Sequence, residues 1–261
     1  MNSRKIARRA AQGALVAFIA GTVGGAALLA AEAVAARTRR YARPDLGLAM
    51  RATRGSSAAP PLRIVLLGDA SALGVGVDSV DETVGGQLAE LLAEAGARVT
   101  MSNVAVSGSR SADLATQVAR AQLGDRPDIA VVLIGTNDAT HLVRAGEAGE
   151  ALASAVRRLR DAGTAVVVGT CPDLGAAPST AVPLRQILGW ISRRLARAQG
   201  TAARAAGATV VDLGRTTGPV FRADRGMYCH DGFHPSADGY RVMAHALYPE
   251  VAAAANLTPQ R

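Results

Sequence analysis

The chain has 261 residues, 49% hydrophobic and only 3% aromatic, so one sizeable core must be filled by Ala, Val and Leu rather than by rings. Ten of its 29 basic residues and two of its 21 acidic ones lie in residues 1–54, so that segment carries the whole net charge of +8 and the rest is neutral. A basic nucleic-acid footprint on the folded part thereby loses its support. The two cysteines and four histidines (His141, His230, His234, His245) have no metal-ligand spacing, so no metal is expected.

Residues 1–36 read as a basic N-terminus with a transmembrane anchor or signal peptide. Ala10 to Ala31 is uncharged for 22 residues, close to the ~20 that cross a bilayer. Arg4, Lys5, Arg8 and Arg9 precede it; Arg37, Arg39, Arg40 and Arg43 follow. Ala33-Val34-Ala35 fits a small-x-small cleavage site, but the stretch is long for a signal peptide, which favours an anchor and an extracytoplasmic domain. Cleavage would instead make the domain secreted. Residues 37–61 form a basic linker ending in Ser, Ala and Pro, whose arginines could rest on anionic headgroups.

Residues 62–256 form the folded domain, and 257–261 a short tail. Leu62–Leu67 is an apolar strand, followed by a helix over Thr83–Ala95 with Leu88, Leu91 and Leu92 at helical spacing. Arg98–Val104 is a second strand, and Ser111 is placed to cap a helix over Ser111–Leu123. Ile129–Ile134 is an unbroken apolar run of the kind found in buried parallel strands. A helix over Glu147–Asp161, a strand over Ala165–Gly169, a long helix over Val182–Ala206, a strand over Thr209–Leu213 and a helix over Ala237–Ala255 complete the chain. Five strands alternating with helices predict an α/β fold with a parallel sheet covered on both faces. Such folds bind ligands at the carboxyl ends of their strands.

Polar blocks fall where that rule puts them. Gly68-Asp69-Ala70-Ser71 follows the first strand and Asn103-Val104-Ala105-Val106-Ser107-Gly108 the second. Gly135-Thr136-Asn137-Asp138 follows the third, and Asp231-Gly232-Phe233-His234 precedes the last helix. One loop can present His234 as a general base and Asp231 as the group that orients its ring. Asn137 and the backbone of Gly108, together with the first block's own N–H, are candidate oxyanion donors. Asp69 is expected to shape the turn.

These four blocks resemble those of the SGNH (GDSL-type) hydrolase family, and the likeness runs from Leu62 to Ala255. It implies a flavodoxin-like, three-layer α/β/α sandwich whose five parallel strands run in the order 2-1-3-4-5. It also implies acyl-ester chemistry without a metal or other cofactor. In that family the nucleophile directly follows Gly-Asp, where this chain has Ala70; the serine, Ser71, is one residue late.

Three readings remain open. Ser71 is the nucleophile through a local shift, or the domain is an inactive relative that binds an ester, glycan or lipid, or Ser107 or Ser109 has taken over. The first makes the chain a membrane-anchored esterase or deacylase acting on a lipid or an acylated envelope glycan. An acyltransferase would use the same residues. Cys171 and Cys229 both fall near the strand ends, either as a disulfide or as two thiols.

Overall fold

The computed structural model describes residues 24–35, 42 and 51–257. Residues 24–35 are helical (α1). The chain continues through β1 (Arg51–Arg54), β2 (Pro61–Gly68), α2 (Ala70–Leu73), α3 (Val84–Glu94), β3 (Arg98–Asn103) and α4 (Leu114–Ala121). Then come β4 (Ile129–Leu133), α5 (Thr136–Thr140), α6 (Ala145–Asp161), β5 (Ala165–Gly169) and α7 (Leu184–Ala205). The last elements are β6 (Thr209–Val211), α8 (Leu213–Thr216), α9 (Gly218–Ala223) and α10 (Ala237–Ala254).

The sheet order is β1-β3-β2-β4-β5-β6. The pairs β3–β2, β2–β4, β4–β5 and β5–β6 are parallel. Their arrangement is the 2-1-3-4-5 order expected from the resemblance. The expected all-parallel, five-stranded sheet is corrected at one edge. A sixth strand, β1, pairs antiparallel with β3, Arg51 opposite Ser102, within the stretch read as linker. Its sequence, Arg-Ala-Thr-Arg, has no apolar run to betray it; it joins the sheet by backbone pairing, and only Ala52 packs on the core.

Alternation along β2 builds two cores, because successive strand side chains point to opposite faces. Ile64 and Leu66 pack with Val84, Leu88 and Leu92 of α3 and with Tyr240, Met243 and Leu247 of α10. Val65 and Leu67 pack on the other face with Leu114 and Val118 of α4, Leu152, Val156 and Leu159 of α6, and Ala203 of α7. All five residues of β4 are buried, as befits a central strand covered on both sides.

Local chemistry moves some expected boundaries. The fifth predicted strand stops early because Asp212 accepts the Arg215 N–H at 3.0 Å and starts α8, so Leu213 is helical. Ser111 does not cap its helix. It lies in a short 3-10 turn and donates its N–H and hydroxyl to the buried Asp138 carboxylate at 3.0–3.1 Å. No described helix is long and apolar enough to cross a membrane. Of the expected span Ala10–Ala31, residues 10–23 lie outside the described residues and 24–31 belong to α1.

Candidate active site

The first polar block forms a sharp turn from β2 into α2. Gly68 has φ +140°, and a Cβ there would lie 1.7 Å from the Leu133 carbonyl oxygen, so only glycine fits. Asp69 caps α2: its Oδ1 accepts the Ser71 N–H at 3.0 Å, and its Oδ2 accepts the Thr136 N–H at 3.3 Å. It therefore ties the ends of β2 and β4 together. Burial pushes the Asp69 carboxyl up, against the hydrogen bonds from the Ser71 and Thr136 amides.

Two buried side chains hold this turn from outside the block. Gln117 of α4 accepts the Gly68 N–H at 2.7 Å and donates to the Gly68 carbonyl at 2.9 Å. Its amide also reaches the Ser109 hydroxyl at 3.1 Å. The Tyr240 hydroxyl of α10 donates to the Val75 carbonyl at 2.7 Å, just beyond α2.

The second and third blocks supply the oxyanion candidates. Asn103, at the end of β3, donates to the Ala72 carbonyl at 2.8 Å and accepts the Ala105 N–H at 2.9 Å, fixing the loop to α2. Gly108 has φ +86°, a left-handed conformation that favours glycine. Asn137 donates one amide N–H to the Ser109 carbonyl at 3.1 Å, leaving the second for a ligand. The Ser71 N–H is spent on Asp69. The amides of Ala70 and Gly108 make no hydrogen bond to another described residue, so Ala70 is the donor that the first block can offer.

His234 and Asp231 meet as expected. His234 Nδ1 lies 2.6 Å from Asp231 Oδ2, and Asp231 Oδ1 accepts the N–H groups of Phe233 and His234 at 2.7 and 2.9 Å. The Ala42 N–H reaches the same Oδ2 at 2.9 Å. Burial alone would raise this carboxyl, but the bonds from the His234 ring and the three amides hold it far below the usual carboxylate range.

A single cavity of about 710 Å³ is lined by Ala70, Ser71, Gly108, Asn137 and His234, so the structure brings together four of the five predicted site residues. The fifth, Asp231, stands behind the histidine. Ser107 and His141 also border the cavity; Ser109 is buried. Cys171 and Cys229 are separate thiols. Among the described residues no group of His, Cys, Asp and Glu could hold a metal ion. The parts played by Gln117, Tyr240 and Ala42 were not anticipated, and Thr136 was named only as a member of its block. Of the first three, Gln117 alone left a trace, a polar residue at helical spacing among Leu114, Val118 and Ala121.

A sheet with this strand order, carrying a His–Asp pair and candidate oxyanion donors at its carboxyl edge, is the architecture of a hydrolase-type α/β domain. The sequence profile of the GDSL-like lipase/acylhydrolase family matches residues 66–242, and the chain belongs to that family. A GDSL-like esterase, Rv1075c of Mycobacterium tuberculosis, is 42% identical over 190 residues, which is 72% of this chain and 60% of that protein. The chain thus aligns with only part of that relative's length. Among solved structures, a lipase/acylhydrolase from Enterococcus faecalis superposes with a TM-score of 0.59 at 20% identity, covering 77% of this chain and 99% of the other. A catalytic mutant of the acetylxylan esterase Axe2 from Geobacillus stearothermophilus gives 0.56 at 20% identity, covering 79% and 98%. These two likenesses concern the fold.

Proposed function

We propose that the protein is an acyl-ester hydrolase with Ser71 as nucleophile, His234 as general base and Asp231 as its orienting acid. The observation that carries this reading is the His234–Asp231 pair opening onto the same cavity as Ser71, Gly108 and Asn137. Ser71 Oγ adds to the ester carbonyl while His234 takes its proton. Charge then develops on the carbonyl oxygen, where the amides of Ala70 and Gly108 and the second Asn137 N–H can meet it. Collapse expels the alcohol, protonated by His234. Water attacks the acyl-enzyme by the same base and frees the acid.

Ala70 directly follows Gly68-Asp69 and lines the same cavity, which favours a second reading, an inactive acyl-ester-binding domain with the methyl group of Ala70 in the nucleophile position. Labelling with a fluorophosphonate probe separates the two. Label on the wild type that is lost in Ser71→Ala and His234→Ala supports hydrolysis. No label on the wild type, with label gained in Ala70→Ser, supports the inactive domain. An acyltransferase would label in the same way and would be distinguished by transfer to added sugar.

The substrate in this reading is a lipid or an acylated envelope glycan. The uncharged stretch Ala10–Ala31 with its arginine flanks is the anchor, and the domain is extracytoplasmic, or secreted if the leader is cleaved. Residues 29–31 would then lie at the end of the span nearest the cavity. Fractionation of the expressing cell, with protease applied from outside, tests both points.

A further inference from the structure

Helix α1 precedes the part of the chain that matches the family, yet it takes part in the site. Leu29, Ala30 and Ala33 of α1 line the 710 Å³ cavity together with Leu184, Ile187 and Leu188 of α7. Two polar contacts hold this N-terminal segment in place. Glu32 Oε2 accepts the Leu184 N–H at 3.0 Å. Pro183, the residue before α7, provides no side-chain cap, so the first N–H of that helix is served by a carboxylate from a distant part of the chain. Further along, the Ala42 N–H donates to Asp231. Glu32 and Ala42 therefore each tie the N-terminal part of the chain to the domain beside the cavity.

We propose that α1 is one wall of an acyl-chain subsite, that the subsite takes an unbranched aliphatic chain much longer than acetyl, and that Leu29, Ala30 and Ala33 limit its length. The lining near α1 is aliphatic on both helices, and an aliphatic chain is the ligand it can desolvate without stranding a polar group. Two of the three α1 residues are alanines, which leave room that larger side chains would fill. The inference names the substrate class for the ester hydrolysis proposed above, and its kinetic arm rests on that reading; its binding arm does not.

The full-length protein is compared with Ala30→Trp/Ala33→Trp, which fills the wall, and with Glu32→Ala, which releases it. One arm measures equilibrium binding of BODIPY-palmitate; the other measures kcat/KM for p-nitrophenyl acetate, octanoate and palmitate. Each buried methylene is worth about fourfold in affinity, so displacing two or more should weaken palmitate binding at least about tenfold and lower the palmitate-to-acetate ratio in step. Both variants should move in that direction. Unchanged binding in both, or no binding of BODIPY-palmitate by the wild type, overturns the proposal even if acetate is hydrolysed. Binding that the variants weaken, in a protein that hydrolyses no ester, upholds the subsite while ester hydrolysis falls.

Discussion

The ring of His234 and the backbone N–H of Ala42 meet at one oxygen of Asp231, Oδ2, at 2.6 and 2.9 Å. The carboxylate is therefore satisfied from two directions and presents a fixed acceptor to Nδ1. That fixes which ring nitrogen carries the proton, so that Nε2 would be the base in the proposed hydrolysis. Asp231→Asn would offer a donor where an acceptor is needed. We expect kcat for ester hydrolysis to fall by ~10³–10⁴-fold with the fold intact, measured by steady-state kinetics beside circular dichroism.

Acid titration should separate the buried carboxyls. Asp231 has a folded value below its unfolded value of ~3.9, so its stabilisation is full above that pH and is lost as pH falls through the folded value. Asp138 is raised by burial, against its Ser111 bonds, and runs the other way: stability declines as pH rises from ~3.9 through its folded value. Urea melts at several pH values should show a shallower acid-side loss in Asp231→Asn. In Asp138→Asn the decline on the rising side should shrink.

Asn137→Ala removes a side-chain donor without touching nucleophile or base. The expected result is a kcat lower by ~10²–10³-fold with KM nearly unchanged, because the bond strengthens as the oxyanion forms. A change confined to KM would show that Asn137 merely binds substrate.

Gly68→Ala tests the turn itself. The added Cβ would meet the Leu133 carbonyl in a backbone conformation that L-residues rarely adopt. A loss of roughly 3 kcal/mol or more is expected, seen as a fall in Tm of roughly 10 °C. Gln117→Leu should be milder, about 1–3 kcal/mol, because it leaves the buried Gly68 amide without its partner, while the Gly68 carbonyl keeps the Val106 N–H at 3.2 Å.

Neither cysteine should behave as a reactive thiol. Burial pushes Cys171 well above its ordinary value and Cys229 up to about 11. Alkylation by iodoacetamide near neutral pH should be slow at both until the protein is denatured, as followed by intact mass.

The parts of the fold that could be read in advance are those with a periodic signal. The buried run Ile129–Leu133 and the leucines of α3 declare their environment by side chain alone. The four polar blocks were legible because each sits at a strand end or helix start with residues chosen for chemistry. Strand β1 was not legible, since Arg51–Arg54 pairs through backbone groups that every sequence possesses. Ala42 escaped for the same reason: its contribution is a main-chain N–H, and alanine announces nothing. Ser111 looked like a cap because serine usually is one; only the folded chain brings Asp138 within its reach. The offset of Ser71 stayed open because the direction of a side chain in a one-turn helix depends on the cap beneath it, here Asp69.

Tyr240 gives the site a mechanical property. Helix α10 begins just after the loop that carries His234, and through the Tyr240 hydroxyl it also grips the Val75 carbonyl behind the serine turn. The helix acts as a yoke across two loops that the chain separates by more than half its length. If α10 slides or tilts against the sheet, both loops are carried with it, so the spacing between the Ser71 turn and the His234 loop is better conserved than the position of either loop.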